Sequence, residues 1–353
     1  MRIAVMRVLW RYSLGALIVL LPGYGPVSAD ELWLRDGSRL IGTIIRKDDG
    51  ALEFKTSYAG TIKVKWAEIK EIRADKAVKV MLGNDDILMA TAIRNTADVV
   101  TLETGTQTEP APVELAPSDV ALINPEPWRL GEGYKFSGRA NLAMERERGN
   151  TDTNELELDF DLTYRRRMDR FVAYGELERD RNNELDKDRM TADNWMLTGR
   201  YHHFITKKWF IGGSVSLDAD YKADRELRAV AGPGVGYQFF ESRAMNLRTE
   251  VGVVGVHEEF KDQRDVDYMA GAWDINFDKY LLDEFMQFYH HQVGILSFED
   301  ATDLIWNTWT GLRFPLVYGF VASTELQTEY DGGATKDADS LDTTYLLKLG
   351  YAW

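Results

Sequence analysis

Acidic side chains recur at every second residue in the middle of the chain, at Glu155, Glu157, Asp159 and Asp161. In a β-strand, residues two apart point to the same face, so these carboxylates would form one continuous row. A row of carboxylates that faces water attracts cations and polar solutes. The same row forms ion pairs when arginine or lysine lies opposite it. The spacing therefore indicates either an acidic passage or an internal salt-bridge network, and the sequence leaves both open.

Charged residues of both signs continue this spacing into the neighbouring segments. The residues that we predict to line a common polar interior are Arg139, Glu155, Glu157, Asp159, Asp161, Glu176, Glu178, Arg200, Asp218, Arg248 and Glu250. Lys135, Glu145, Arg165 and Asp220 follow the same alternation. Acidic residues outnumber basic ones in this set, which favours cations over anions as solutes.

The sequence offers little for catalysis or metal binding. His202-His203 and His290-His291 are adjacent pairs, and neighbouring residues of a strand point to opposite faces, so each pair could supply at most one ligand to a shared site. Ser214, Ser216 and Ser323 could act as nucleophiles, but nothing in the sequence brings a base to them. The absence of cysteine excludes a thiol nucleophile and disulfides. We predict no enzyme: no catalytic residue, no cofactor and no metal site.

The face opposite the acidic row is apolar, with Leu156, Leu158, Phe160 and Leu162 between the acids. Such alternation is typical of a transmembrane β-strand, whose apolar side chains face lipid and whose polar side chains face the interior. The pattern predicts twelve strands, at Tyr134–Glu145, Glu155–Arg165, Phe171–Asp180, Met190–Phe204, Trp209–Tyr221, Arg228–Phe240, Met245–Glu258, Tyr268–Leu281, Met286–Phe298, Leu304–Phe314, Tyr318–Tyr330 and Asp342–Trp353.

The connections between these strands alternate between short turns and longer, charged loops, as in outer-membrane barrels with periplasmic turns and extracellular loops. A soluble all-β barrel with its apolar faces inward is the alternative. Twelve strands enclose an interior too wide for side chains to fill comfortably as an apolar core. If the apolar faces pointed outward into water, the exposed apolar area would exceed the roughly 300–600 Å² of the largest patch on a typical soluble monomer. The predicted fold is therefore all-β, a 12-stranded antiparallel transmembrane β-barrel.

The last strand alternates apolar residues up to the final aromatic one. We predict that this ending is an assembly signal read by the barrel-assembly machinery, carried by Tyr345, Leu347, Leu349, Tyr351 and Trp353. Aromatic residues at strand ends favour the lipid–water interface, so outer-membrane lipid and lipopolysaccharide are the expected surroundings.

Residues 1–29 have the features of a secretory signal peptide: three arginines, a short apolar core and the small residues Val27-Ser28-Ala29. The apolar core is about half the roughly 20 residues that a spanning helix needs. Removal of this segment would change the formal net charge from −15 to −18. So acidic a chain is not expected to bind nucleic acid.

Residues 30–125 predict a small all-β domain with an internal repeat, its copies at about 30–75 and 78–124. Short β-runs separated by Asp-Gly and Ala-Gly turns indicate hairpins, and we expect SH3-like or Sm-like barrels. Pro125-Glu126-Pro127 is the expected linker, since proline does not fit a ladder, and residues 126–353 form the membrane barrel. With an even number of strands, the chain enters the first strand and leaves the last strand on the same side of the membrane. This domain would therefore lie in the periplasm.

The resemblance of the chain to a known family rests on Gly149-Asn150-Thr151, on the segment Gly232-Pro233-Gly234-Val235-Gly236-Tyr237 and on the aromatic end at Trp353. The chain resembles the salt-induced outer-membrane protein family, a bacterial domain of unknown function. The resemblance covers about residues 133–353. It implies a signal peptide and an outer-membrane barrel, and it carries neither catalytic residues nor an agreed substrate. Because no helix follows it, Gly232-Pro233-Gly234 is not a phosphate loop, and we expect a bulge or bend in a strand there.

Two functions follow from these observations. The first is an outer-membrane channel for small polar solutes or cations with an acidic interior. The second is a non-conducting structural or interaction protein, in which the domain of residues 30–125 binds a periplasmic or cell-wall partner and the barrel serves as its anchor.

Overall fold

The computed structural model describes residues 29–96, 98–106, 109–146, 153–182, 190–300, 302–332 and 340–353. Over these ranges the regular structure consists of β-strands and short 3₁₀ helices, arranged as one nine-stranded sheet followed by one closed barrel. No helix within the described residues is both long and apolar enough to cross a membrane.

The nine-stranded sheet forms the amino-terminal domain. Its strands are β1 (Asp30–Leu34), β2 (Arg39–Asp48), β3 (Ala51–Thr56), β4 (Gly60–Lys65), β5 (Ile69–Leu82), β6 (Ile87–Asn95), β7 (Val100–Thr106), β8 (Glu109–Leu115) and β9 (Val120–Ile123). Their order is β4-β3-β2-β1-β5-β6-β7-β8, and β9 pairs with β2 and β5. Asp49 and Gly50 both have positive φ, 47° and 75°, which suits the tight turn that joins β2 to β3.

The two predicted copies are visible in this sheet. Strands β1 to β4 and the first half of β5 repeat as the second half of β5, β6 to β8 and β9. Buried residues recur at equivalent places, with Leu32 matched by Val80 and Leu52 by Val100. The last strand of each copy pairs with the second strand of the other, β5 with β6 and β9 with β2. The copies therefore share one sheet and one core, which corrects our expectation of two separate small barrels.

A buried lysine joins the two copies. Lys47 lies near the end of β2 in the first copy, and its Nζ donates to the carbonyl oxygens of Val120 at 2.7 Å and Ala121 at 3.0 Å in the second. The ammonium group also lies 5.0 Å from the centre of the Trp66 ring. Burial lowers the pKa of Lys47.

The closed barrel contains twelve antiparallel strands within the described residues, so the predicted fold class is confirmed. They are β10 (Lys135–Arg146), β11 (Thr153–Arg165), β12 (Asp169–Asn182), β13 (Met190–Phe204), β14 (Trp209–Asp220), β15 (Arg225–Glu241), β16 (Met245–Phe260), β17 (Val266–Leu281), β18 (Met286–Ser297), β19 (Leu304–Pro315), β20 (Phe320–Asp331) and β21 (Leu341–Ala352).

Side chains alternate between the outside and the inside of the barrel along each strand. On β16, Val253 is 46% exposed on the outside, whereas its neighbour Val254 is 2% exposed on the inside. Aromatic rings pack in a row on the outside at the short-turn end, with Tyr164 6.1 Å from Phe171 and Phe171 4.7 Å from Tyr201 between ring centres. An apolar outer wall with an aromatic rim suits a lipid environment.

The barrel closes through a short ladder between β10 and β21. The pairs run from Arg139↔Ala352 to Leu142↔Leu349, and Gly138 and Trp353 exchange two backbone hydrogen bonds of 3.1 and 3.0 Å. Beyond Leu142, toward the long loops, no further pair joins these two strands in the described residues. This seam therefore depends on the residues next to Trp353.

The segment Gly232-Pro233-Gly234 lies inside β15 and does not form a bulge. Ala231 pairs with Gly255 and Gly234 with Gly252 in one unchanged register, and the two residues between them lack partners on β16. The register shifts of this strand lie near its two ends instead. Proline has no N–H to donate, so it interrupts the ladder without displacing it.

The amino-terminal domain contacts the short turns of the barrel. Asp85 lies 3.6 Å from Arg167 and 3.0 Å from Lys207, in the first two turns. Further contacts reach the next two turns, Glu53 with Arg243 at 3.0 Å, Asp49 with the backbone N–H of Ala244 at 3.0 Å and Lys63 with Glu284 at 2.5 Å. The domain thus lies at the short-turn end of the barrel.

Candidate functional site in the barrel lumen

Strand register puts the residues of the predicted polar set on one face of the barrel, and this face makes contacts between strands that are not neighbours. The contacts of the set, where the structure gives them, are Arg139 with Asp161, Glu157 and Asp159 with Lys348, Glu176 with Tyr174 and Trp309, Glu178 with Asn194, Arg200 with Glu250, Asp218 with Arg228, and Arg248 with Asp274. Glu155 lies near the long-loop end of β11. The set is thus spread over several clusters and forms no single site.

One cluster surrounds Lys348 of β21. Its Nζ contacts Glu157 and lies 2.8 Å from Asp159 and 2.7 Å from Glu325. Gln327 adds a hydrogen bond from Nε2 to Glu157 at 2.9 Å. Lys348 is 5% exposed, so this ion cluster is removed from water and couples β11, β20 and β21.

A second cluster surrounds Asp274 of β17, which is almost fully buried. Arg200 lies 3.1 Å from one of its oxygens and Arg248 3.4 Å from the other. His291 Nε2 is 2.9 Å from the same carboxylate. Two guanidinium groups and an imidazole thus share one buried acid, so the carboxylate is fully bonded.

Near the short-turn end, buried aromatic and basic side chains pack together on the inner face of the barrel. Arg170 donates from Nε to Nδ1 of His202 at 3.0 Å, so the imidazole proton lies on Nε2, which faces Glu250 at 2.9 Å. The Arg170 guanidinium also lies 5.1 Å from the ring centres of both Phe204 and Phe210. These side chains therefore pack against one another on the inner face of β12 to β14.

A band of side chains crosses the lumen at mid-height. Trp309 of β19 donates from Nε1 to Glu176 of β12 at 3.1 Å, although these strands are far apart in the barrel order. Tyr174 packs edge-on against Trp309 with ring centres 5.6 Å apart, and His291 stacks on Trp309 with ring centres 5.2 Å apart. We call Tyr174, Glu176, His291 and Trp309 the septum.

Cavities lie on both sides of the septum. One, of about 350 Å³, extends toward the short turns and is lined by residues that include Arg139, Asp278 and Arg313. The other, of about 130 Å³, extends toward the long loops. Tyr174, His291 and Trp309 line both. Within the described residues, the lumen is thus divided by side chains.

The short 3₁₀ helix Pro127–Leu130 lies at the short-turn mouth. Trp128 is buried there, with the Arg165 guanidinium 4.8 Å from its ring centre and its Nε1 bonded to Glu126 at 2.8 Å. Burial raises the pKa of Glu126, but the Trp128 hydrogen bond and the charges of Lys135, Arg129 and Arg46 outweigh burial and lower it below the ordinary value. The linker thus anchors the domain to the barrel.

A family model described as "Protein of unknown function, DUF481" matches residues 140–353. The chain belongs to this family. The match covers nearly the whole barrel, as the sequence resemblance implied, and its description carries no activity.

The other comparisons add no function to the DUF481 barrel. No curated protein matches the chain. The outer-membrane channel DcaP of Acinetobacter baumannii is similar at 10% identity and a TM-score of 0.32, over 79% of this chain and 94% of that one. The β domain of the Bordetella autotransporter BrkA is similar at 12% identity and a TM-score of 0.30, over 63% and 99%. Scores this low carry no argument about function.

Several inner-face residues of the DUF481 barrel were not singled out from the sequence. They are Tyr174, Phe204, Phe210, Arg228, Asp274, Tyr289, Trp309, Glu325 and Lys348. His202 and His291, weighed in the sequence only as metal ligands, also lie on this face. Alternation alone could have found the charged ones on β17 to β21, because the polar face continues there. It could not find the aromatic ones, since an inward tryptophan resembles a lipid-facing one. Within the described residues no group of three or more histidine, aspartate or glutamate side chains could hold a metal ion.

Proposed function

We propose that this protein is a gated outer-membrane channel for small polar solutes, with a preference for cations, and that the structure corresponds to its closed state. The observation that carries the proposal is the pair of lumen cavities separated only by the septum. Side chains change rotamer far more easily than a folded plug leaves a barrel. A lumen of this strand number also lies between ligand-sized barrels and open porins.

The location belongs to the same proposal. An apolar exterior with an aromatic rim requires a lipid environment. With an even number of strands, the chain enters and leaves the barrel on the same side of the membrane. The short turns and the amino-terminal domain would then face the periplasm. Export would depend on the signal peptide expected at residues 1–29, of which 1–28 lie outside the described residues.

The channel proposal predicts that shortening the septum opens the lumen. In planar bilayers the purified wild-type protein should conduct rarely and in small steps. Trp309→Ala removes the bond to Glu176 and both ring contacts, so its conductance steps should be larger and more frequent.

Trp209→Ala is the matched control, since Trp209 is exposed on the outside of β14 and packs on Tyr237 with ring centres 4.9 Å apart. It should behave like the wild type. A folded Trp309→Ala variant, alone or with Tyr174→Ala, that gives no steps would contradict the channel.

A second function, the anchored interaction protein, is favoured by the outer face of the amino-terminal sheet. The Trp33 ring lies between the guanidinium groups of Arg39 and Arg73, at 5.3 and 4.9 Å, and Ile41 and Met89 are exposed. Under this alternative, the full-length protein should sediment with purified cell-wall sacculi and Trp33→Ala should not. Equal sedimentation of both proteins, or of neither, would count against this partner.

A further inference from the structure

The lumen on the long-loop side of the septum has one apolar wall. It is formed by inward residues of β15 to β18, namely Val230, Val254, Val256, Ala270, Ala272 and Ile295. Val254, Val256 and Ala270 are almost completely buried, so they pack as a small core inside the barrel. Such a wall is not needed for a bore that holds only water and ions, and it offers a surface for an apolar group.

The cavity beside this wall has the size of one small ring. Its volume is about 130 Å³, and Met196, Val254 and Ile295 are among the residues that line it. An apolar protein cavity of roughly 150 Å³ is known to hold benzene. The cavity therefore suits a single apolar or aromatic group.

The charges within this cavity already have partners. Arg200 lies 3.1 Å from Asp274, and Arg228 donates to Asp218 at 3.1 Å. A charged ligand group would therefore find no free counter-ion at the floor of the cavity. The charge preference must come from elsewhere in the lumen.

The opposite wall is acidic. Glu178 and Asp180 of β12, Glu329 of β20 and Asp342 of β21 lie on inner-face register positions toward the long loops. In the described part of the chain, no lysine or arginine nitrogen comes within 4.0 Å of these four carboxylates. This half of the lumen is thus amphipathic across its width, with apolar strands facing acidic ones.

We propose that this half of the lumen binds organic ammonium ions that carry one small apolar or aromatic group. The apolar group contacts the β15 to β18 wall and the ammonium group faces the carboxylates of the acidic wall. The proposal deepens the channel proposal and rests on it for passage of the solute, but binding requires no conduction.

The test uses the full-length protein in detergent and isothermal titration with four probes: benzylammonium, benzyl alcohol, benzoate and methylammonium. Benzylammonium should bind with one site per chain, and methylammonium, which lacks the ring, should bind at least roughly tenfold more weakly. Benzoate should show no binding, and benzyl alcohol should be intermediate. Benzoate binding as tightly as benzylammonium, or no binding of any probe, would overturn the proposal.

Variants separate the two walls. Glu178→Gln with Asp180→Asn should weaken benzylammonium by about fivefold or more and leave benzyl alcohol unchanged. Ile295→Asn should weaken both ring-bearing probes. Asp278→Asn is the control, because Asp278 lines the cavity on the other side of the septum. Equal loss in the control and the wall variants would contradict the assignment.

The outcomes distinguish the two proposals. If Trp309→Ala conducts but benzylammonium does not bind, the binding proposal alone is wrong. If benzylammonium binds but no septum variant conducts, the channel proposal is wrong and the lumen is a binding site.

Discussion

At the scale of single residues, we expect the largest effect on stability from a substitution of Lys348, because its ammonium group lies among three carboxylates inside the barrel. Lys348→Met would leave buried negative charges without a cation, which costs about 3–5 kcal/mol. The midpoint of urea unfolding in detergent should fall accordingly. Lys279→Met, on an exposed lysine of β17, is the control and should change little. Equal effects of the two substitutions would show that the cluster contributes no stability.

Glu126 gives a prediction for pH. Its pKa is lowered in the folded protein, so its contribution to stability is complete above the ordinary carboxyl value of 4.5 and is lost as the pH falls below it. Glu126→Gln should therefore lower the unfolding midpoint at pH 7 and match the wild type near pH 3. A difference between the two proteins that does not change with pH would contradict this coupling.

The sequence allowed us to predict which charged residues of β10 to β16 share one face, because period-two alternation fixes the face of a strand residue. It could not pair them. Contacts such as Trp309 with Glu176 join residues distant in the chain, and they depend on how far each side chain reaches across the lumen. The assignment of the predicted set to solute passage stays a prediction.

At the scale of elements, the seam between β10 and β21 depends on Gly138. A Cβ atom there would lie 2.6 Å from the Trp353 ring and 2.7 Å from Leu162. Gly138→Val should therefore displace Trp353 and prevent closure, seen as loss of heat-modifiable gel migration. Trp353→Asp should give the same result. Gly199→Val, where a Cβ meets nothing within 4 Å, is the matched control. Normal migration of Gly138→Val would mean that the barrel closes without this contact.

Strand positions were predicted closely, since seven barrel strands begin or end at the expected residue and one of them, Met190–Phe204, matches at both ends. The internal repeat was visible because buried residues recur with turn signals between them. The exchange of strand partners between the copies could not be predicted, because short β-runs carry no signal for which neighbour they pair with.

At the scale of the whole molecule, charged contacts hold the amino-terminal domain against the barrel turns. Each pair is partly exposed and worth at most about 1 kcal/mol, so docking depends on several together. Asp85→Asn with Glu53→Gln should broaden the spin-label distances between the domain and the turns. Glu114→Gln, at an exposed position on β8, should leave them narrow. Unchanged distances in the double variant would show that other contacts suffice.

For the whole molecule we predict a barrel whose septum closes an acidic, water-accessible lumen. The most direct measurement is the reversal potential of the Trp309→Ala pore across a bilayer with unequal KCl on its two sides. The sign should indicate preference for K⁺ over Cl⁻, and Glu178→Gln with Asp180→Asn on the same background should move the potential toward zero. A pore that prefers Cl⁻, or a folded Trp309→Ala barrel that carries no current, would contradict a gated, cation-preferring channel.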